Sequence, residues 1–117
     1  MSSDAEKCAV TLRSEAANDF RVLPNRALQL EAARFLIKLK AKPHLGLRLE
    51  RREYTGDLSD CRKIYFDEGP DRKPRYRIVY RLLPDEGRPE IVDVIIIGKK
   101  YGPKGAYAEA TERLGRN

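Results

Sequence analysis

The sequence predicts an α+β domain: an N-terminal helical hairpin packed on a mainly antiparallel four- to five-stranded sheet, with a C-terminal helix. Three observations lead there. Apolar residues recur at helical spacing up to Pro43, alternate at spacing two from Leu45, and return to helical spacing at Tyr107. Turn-rich clusters, "GPDRKP" and "PDEGRP", divide the alternating part into strands. A chain of 117 residues that is 41% hydrophobic builds one core, so residues 1–117 are expected to form a single domain with 1–10 frayed.

Each element has a local reason. "CAVTLR" suits a short strand, and Ser14 in "SEAANDF" is an N-cap candidate for a helix reaching about Val22, with Ala17 and Phe20 on its inner face. Pro24 and Asn25 interrupt the pattern. "RALQLEAARFLIKLKAK" then restarts it with an apolar stripe through Ala27, Leu30, Ala33, Phe35, Leu36, Ile37 and Leu39. Lys38, Lys40 and Lys42 suit the C-terminal end of that helix, and Pro43 stops it. A tight turn between the two helices makes a helical hairpin.

The strands follow. "LGLRLERREY" places Leu45, Leu47 and Leu49 on one side and Arg48, Glu50 and Arg52 on the other, and residues 56–60 form a loop. In "CRKIYFDE", Ile64 and Phe66 face one way while Lys63 and Tyr65 face the other. In "RYRIVYRLL", Tyr76, Ile78, Tyr80 and Leu82 belong to the core, and Arg75, Arg77, Val79 and Arg81 to the opposite face. "EIVDVIIIG" is apolar on both faces except at Asp93, which marks a central strand covered on both sides, with Asp93 in a buried or edge hydrogen bond. "AYAEATERL" closes with a helix that aligns Tyr107, Ala110 and Leu114. One face of the sheet therefore gathers Lys63, Tyr65, Arg75, Arg77 and Arg81, and is expected to stay partly open.

Composition narrows the function. Lys plus Arg number 24 against 18 Asp plus Glu, giving a formal net charge of +6 and a pI near 9.5, which favours an anionic partner such as nucleic acid. Cys8 and Cys61 are too few for a disulfide framework or a zinc site, so a reducing, cytoplasmic location is expected. No apolar run reaches the ~18 residues of a membrane span, and no signal peptide or membrane partner is expected. A single histidine, His44, supports neither a His-based metal centre nor a His-driven triad, so no metal or cofactor is expected.

Phosphate is the anion that the cationic face suits, because arginine offers a planar fork of donors and tyrosine a ring on which a base stacks, at ~1–3 kcal/mol per base. Solvation, or pairing with Asp67, Glu68, Asp71 or Glu50, is the competing reading of the same charges. The order "GDLSDCRKIYFD", "YRIVYRL", "IIIGKK" and a tyrosine opening the last helix resembles the RelE/ParE superfamily of bacterial toxins from type II toxin-antitoxin pairs, over roughly Leu47 to Leu114. For its RelE-like branch the resemblance implies a metal-independent endoribonuclease that cuts messenger RNA in the ribosomal A site, inhibits translation and arrests growth. A cognate antitoxin would hold it inactive.

The family's functional positions fall on Lys63, Arg77, Lys100 and Tyr107. Three departures stand out: Tyr65 replaces a second lysine, Lys100 replaces an arginine, and the interval from Gly98 to Tyr107, with Pro103 inside it, is one residue longer. Cleavage by a ribose 2′-hydroxyl needs a base, positive charge on the phosphate oxygens, and a proton for the departing 5′-oxygen. Lys63 is the candidate base and Arg77 the candidate charge. Lys100, Tyr107 and Tyr65 are chemically suited to give the proton, and the resemblance favours the first two. Tyr65, Arg75, Arg81 and Lys99 are the candidate RNA-binding residues. Packing of Tyr107 in the core, and Lys99 and Lys100 merely ending a strand, are the structural alternatives. Lys63 and Arg77 are expected to project from adjoining strands into one shallow, water-facing concavity. Two other functions fit the same fold: a ParE-like inhibitor that binds DNA gyrase, and an inactive homologue that only binds an antitoxin.

Overall fold

Eight elements fold around the sheet in a computed structural model that describes residues 8–49, 57–100 and 105–116. In chain order they are β1 (Ala9–Leu12), α1 (Ser14–Arg21), α2 (Arg26–Ala41), β2 (Leu47–Arg48), β3 (Cys61–Phe66), β4 (Tyr76–Leu83), β5 (Ile91–Lys99) and α3 (Ala106–Arg113). The sheet order is β1-β5-β4-β3-β2; β1 runs parallel to β5 and the other neighbours are antiparallel. The expected α+β class, the helical hairpin, the five strands and the last helix are all present. β1 begins at Ala9, inside the segment expected to fray.

Alternation divides the sheet into two faces. Ile64, Phe66, Tyr76, Ile78, Tyr80 and Leu82 turn toward the hairpin and form the larger core with Ala16, Leu28, Ala32 and Leu39. A register shift between Val79 and Tyr80 inserts an extra residue into β5, so that Ile95 and Ile96 both join Val79 and Cys61 on the second face. Against that face packs α3, through Ala106, Tyr107 and Ala110, with Leu49 and Leu58 at its side. The sequence expectation of a partly open second face is thereby corrected: α3 covers its middle. Apolar residues on both sides of β5 require this, because a face carrying Val79, Ile95 and Ile96 needs a cover.

Other expectations shift locally. The N-cap position of α1 is Arg13, not Ser14, which is already helical, and no side chain caps that end. Ala16 rather than Ala17 is the buried residue of α1. Asn25 caps α2 by accepting a hydrogen bond from the Leu28 backbone amide. The buried residues of α2 are Leu28, Ala32 and Leu39, while Leu30 and Ile37 of the expected stripe are 56% and 65% exposed. Apolar residues lie on most sides of this helix, so spacing admits several inner faces and packing selects one. Leu45 and Leu47 are exposed and only Leu49 is buried, since β2 is two residues long. Glu50, Arg52, residue Gly56 of the loop and Pro103 lie outside the described residues. Cys8 and Cys61 are buried free thiols.

Candidate functional site

Cross-strand register builds the site. Tyr65 on β3 lies directly opposite Arg77 on β4, and Lys63 lies opposite Val79. All three therefore share the face that α3 covers, and α3 ends its cover at Tyr107. Tyr65 lays its ring on the Arg77 guanidinium, 4.0 Å from centroid to Cζ. The Lys63 ammonium sits between two rings, 5.2 Å from the centroid of Tyr65 and 5.8 Å from that of Tyr107. Arg77 Nε donates to the Tyr107 hydroxyl at 3.1 Å, and Nη1 donates to the carbonyls of Pro74 and Tyr76 at 3.0 and 2.9 Å.

Lys63 and Arg77 thus meet on one face, as expected, but the concavity is not simply water-facing. Arg77 is 6% exposed, enclosed by Tyr65 and by Tyr107. Its Nη2 makes no hydrogen bond within the described residues and is the nitrogen left for an external anion. Tyr65, 41% exposed, is the outward wall.

Charge at this end falls on one phenol. The Lys63 ammonium beside its hydroxyl holds Tyr65 below the ordinary tyrosine range; burial opposes this, and the charges of Lys63, Arg77 and Lys100 reinforce it. Beside the same ring, a pocket of about 190 Å³ opens between α2 and the β3–β4 connection, with Arg34, Phe35 and Arg72 in its wall. Neither the special position of Tyr65 nor this pocket was visible in sequence spacing; the pattern "CRKIY" signalled only that Lys63 and Tyr65 share a face.

The remaining expected RNA-binding residues lie elsewhere. Arg75 is held by Asp67, which accepts from its Nε and Nη2 at 2.8 Å each and also from two backbone amides. Arg81 pairs with Asp93 at 2.9 Å, and Arg13 joins that carboxylate at 3.1 Å. Four residues along β4 separate Arg81 from Arg77, roughly 13 Å. The register places Lys99 beside Tyr76, so it belongs to the face away from Arg77. Lys100 follows the end of β5, its amide bonded to the Arg75 carbonyl at 3.0 Å. Tyr76 and Tyr80 are core residues, as expected. Among the described residues no cluster of His, Cys, Asp and Glu could hold a metal ion, and no helix is long and apolar enough to cross a membrane.

The backbone that carries this cluster matches solved structures. The toxin RelE of E. coli, in a free-state mutant with two arginines replaced by alanine, aligns over 92% of this chain and 98% of its own, at 22% identity and a TM-score of 0.61. The chain has a RelE-like fold. The RelBE2 toxin-antitoxin complex of Mycobacterium tuberculosis aligns over 80% of this chain and 98% of its own, at 23% identity and a TM-score of 0.56. No family model and no curated protein matches the sequence. In this RelE-like fold, β3, β4 and α3 bring Lys63, Tyr65, Arg77 and Tyr107 into one group, whereas Arg75, Arg81 and Lys99 serve other parts of the surface.

Proposed function

We propose that this protein is the toxin of a type II toxin-antitoxin pair, acting in the cytoplasm as a metal-independent endoribonuclease on messenger RNA in the ribosomal A site. The observation that supports it most is the union of an arginine, a lysine and two tyrosines at one end of the sheet in a RelE-like fold. Arg77 Nη2 is the donor for a phosphate oxygen, and a charge-assisted bond formed beside buried surface is stronger than one in open water. Tyr107 receives a hydrogen bond from Arg77 Nε, which leaves its own hydrogen for the departing 5′-oxygen. Lys63 and Lys100 add positive charge where the phosphorane develops. The pocket beside Tyr65, with the Phe35 ring and two arginines, suits a neighbouring nucleotide. A cognate antitoxin is the expected partner, as one of the similar structures is a toxin-antitoxin complex.

Tightly controlled expression with mapping of RNA ends tests this reading. Growth arrest with new 5′ ends inside translated messages is expected, and their loss in a Lys63→Ala, Tyr107→Phe double variant. Arrest with intact messages and an induced DNA-damage response would instead assign the gyrase-binding function. The burial of Arg77 favours a second reading, an inactive homologue that only binds an antitoxin, and absence of any growth arrest would establish it.

A further inference from the structure

Resting on the ribonuclease reading, the inference concerns which group takes the first proton. We propose that Tyr65 is the general base of the reaction and that Lys63 is the residue that holds it in its reactive form. Three observations converge. Tyr65 is the most exposed member of the cluster, so its hydroxyl is open to substrate while Arg77 and Tyr107 are 6% and 5% exposed. The Lys63 ammonium stands 5.2 Å from the centre of its ring, near enough to stabilise a phenolate. Its ring lies on a guanidinium at 4.0 Å, so negative charge on the phenol is balanced from the face as well as from the edge.

Among the described residues, the carboxylates nearest this phenol are each paired with a cation. On β3 the neighbour is Lys63, from β4 Arg77 faces the ring, Lys100 acts from the end of β5, and from α3 Tyr107 shares Lys63. In the pocket wall, α2 contributes Glu31 and Arg34, paired with each other at 3.0 Å, and the β3–β4 connection contributes Asp67, committed to Arg75. Arg72 of the same wall lies 3.6 Å from Glu68. The positive balance at the phenol agrees with its lowered titration range.

The step balances. Tyr65 phenolate takes the 2′-hydroxyl proton; the 2′-oxygen forms a bond to phosphorus; the bond from phosphorus to the 5′-oxygen breaks; that oxygen takes the Tyr107 proton. The products are a 2′,3′-cyclic phosphate and a 5′-hydroxyl, and solvent returns a proton from Tyr65 to Tyr107. Tyr65 contacts the Arg77 guanidinium through its face and Tyr107 through its Nε edge, so a base and an acid approach one phosphate held by Arg77 from two directions.

Ribosomes programmed with a defined message, cleaved by the full chain across the pH range in which they stay intact, test the assignment through kcat/KM. Tyr65→Phe, which removes one exposed oxygen and preserves the ring, is expected to lower cleavage at least about 100-fold and to abolish the rising limb of the profile. Lys63→Gln is expected to keep a rising limb but move it to higher pH. A difference absorbance titration of wild type against Tyr65→Phe, on the protein alone, is expected to show a phenol ionising below the ordinary range of about 10. The converse pattern, a limb shifted by Tyr65→Phe but lost in Lys63→Gln, makes Lys63 the base and overturns the inference while leaving the ribonuclease reading intact. So does full activity of Tyr65→Phe, or an ordinary titration of Tyr65. A wild-type protein that leaves the message whole overturns the ribonuclease reading and the assignment with it.

Discussion

Arg77 is committed to its own protein before it meets a ligand. Nε serves Tyr107 and Nη1 serves two carbonyls, and among the described residues Nη2 alone has no acceptor. Truncation therefore removes more than a phosphate contact. Arg77→Ala is expected to lower stability by about 2–4 kcal/mol, because the buried acceptors of Tyr76 and Tyr107 lose a charged donor. Urea denaturation measures this, and loss of toxicity in that variant has to be weighed against it. Tyr107→Phe removes only a hydroxyl and is expected to cost about 1 kcal/mol, so it reports on chemistry more cleanly. Asp67 makes the complementary case. Hydrogen bonds from Arg75, with backbone amides of Glu68 and Arg75, hold its carboxyl far below the usual carboxylate range despite burial. A depressed folded value means that the stabilisation is present above the ordinary value of about 3.9 and is lost as pH falls below it. The urea midpoint of the wild type should decline on acidification below that value, and Asp67→Asn should be weaker at neutral pH with a flatter acid limb.

Elements show where sequence suffices. The alternation in β3 and β4 was legible residue by residue, since a period of two leaves a strand no choice of face once one side is apolar. In α2 the reading failed at Leu30 and Ile37, because a helix with apolar residues on most sides does not declare which side meets the sheet. The link from α2 to β2 depends on a glycine whose reason is purely tertiary. A Cβ on Gly46 would stand 2.8 Å from both the Lys63 carbonyl and the Tyr80 hydroxyl, and that hydroxyl itself accepts from the Gly46 amide while donating to the Pro43 carbonyl. Gly46→Ala must push either the backbone of β3 or a fully buried tyrosine, at a cost of about 1–3 kcal/mol. Hydrogen exchange should locate the loss in β3 and β4 rather than in α1, and because Lys63 sits on the displaced strand, the ribonuclease function proposed above predicts that cleavage falls further than stability alone explains.

At the scale of the molecule, the pattern of β5 called for a cover on both faces but did not say that α3 supplies the second one. Its apolar face through Tyr107, Ala110 and Leu114 was legible, but the face of the sheet that it covers follows from the extra residue in β5, which turns both Ile95 and Ile96 outward from the hairpin. That choice buried Arg77 and converted an open cationic face into a half-enclosed site. The same strand creates a second problem, because β1 pairs with β5 from Ile91 to Val94 and, among the described residues, no strand covers the rest of that edge. Two side chains that lie 94 residues apart in the chain close it. Asp19 of α1 accepts the Ile97 amide at 3.1 Å, Arg113 of α3 donates to the Ile95 carbonyl at 3.0 Å, and the two bind each other at 2.7 Å. The pair thus does the work of a missing sixth strand and ties the hairpin on one face to the helix on the other. Asp19→Ala is expected to cost about 3–5 kcal/mol, as for a half-buried ion pair deprived of one partner, and to bare the strand edge. Asp19→Asn, which keeps an acceptor for the Ile97 amide, should recover part of that loss. Urea denaturation with size-exclusion chromatography separates the two effects: lower stability in both variants, but concentration-dependent association only in Asp19→Ala. Equal association of the two variants would mean that the edge is guarded by something other than this acceptor.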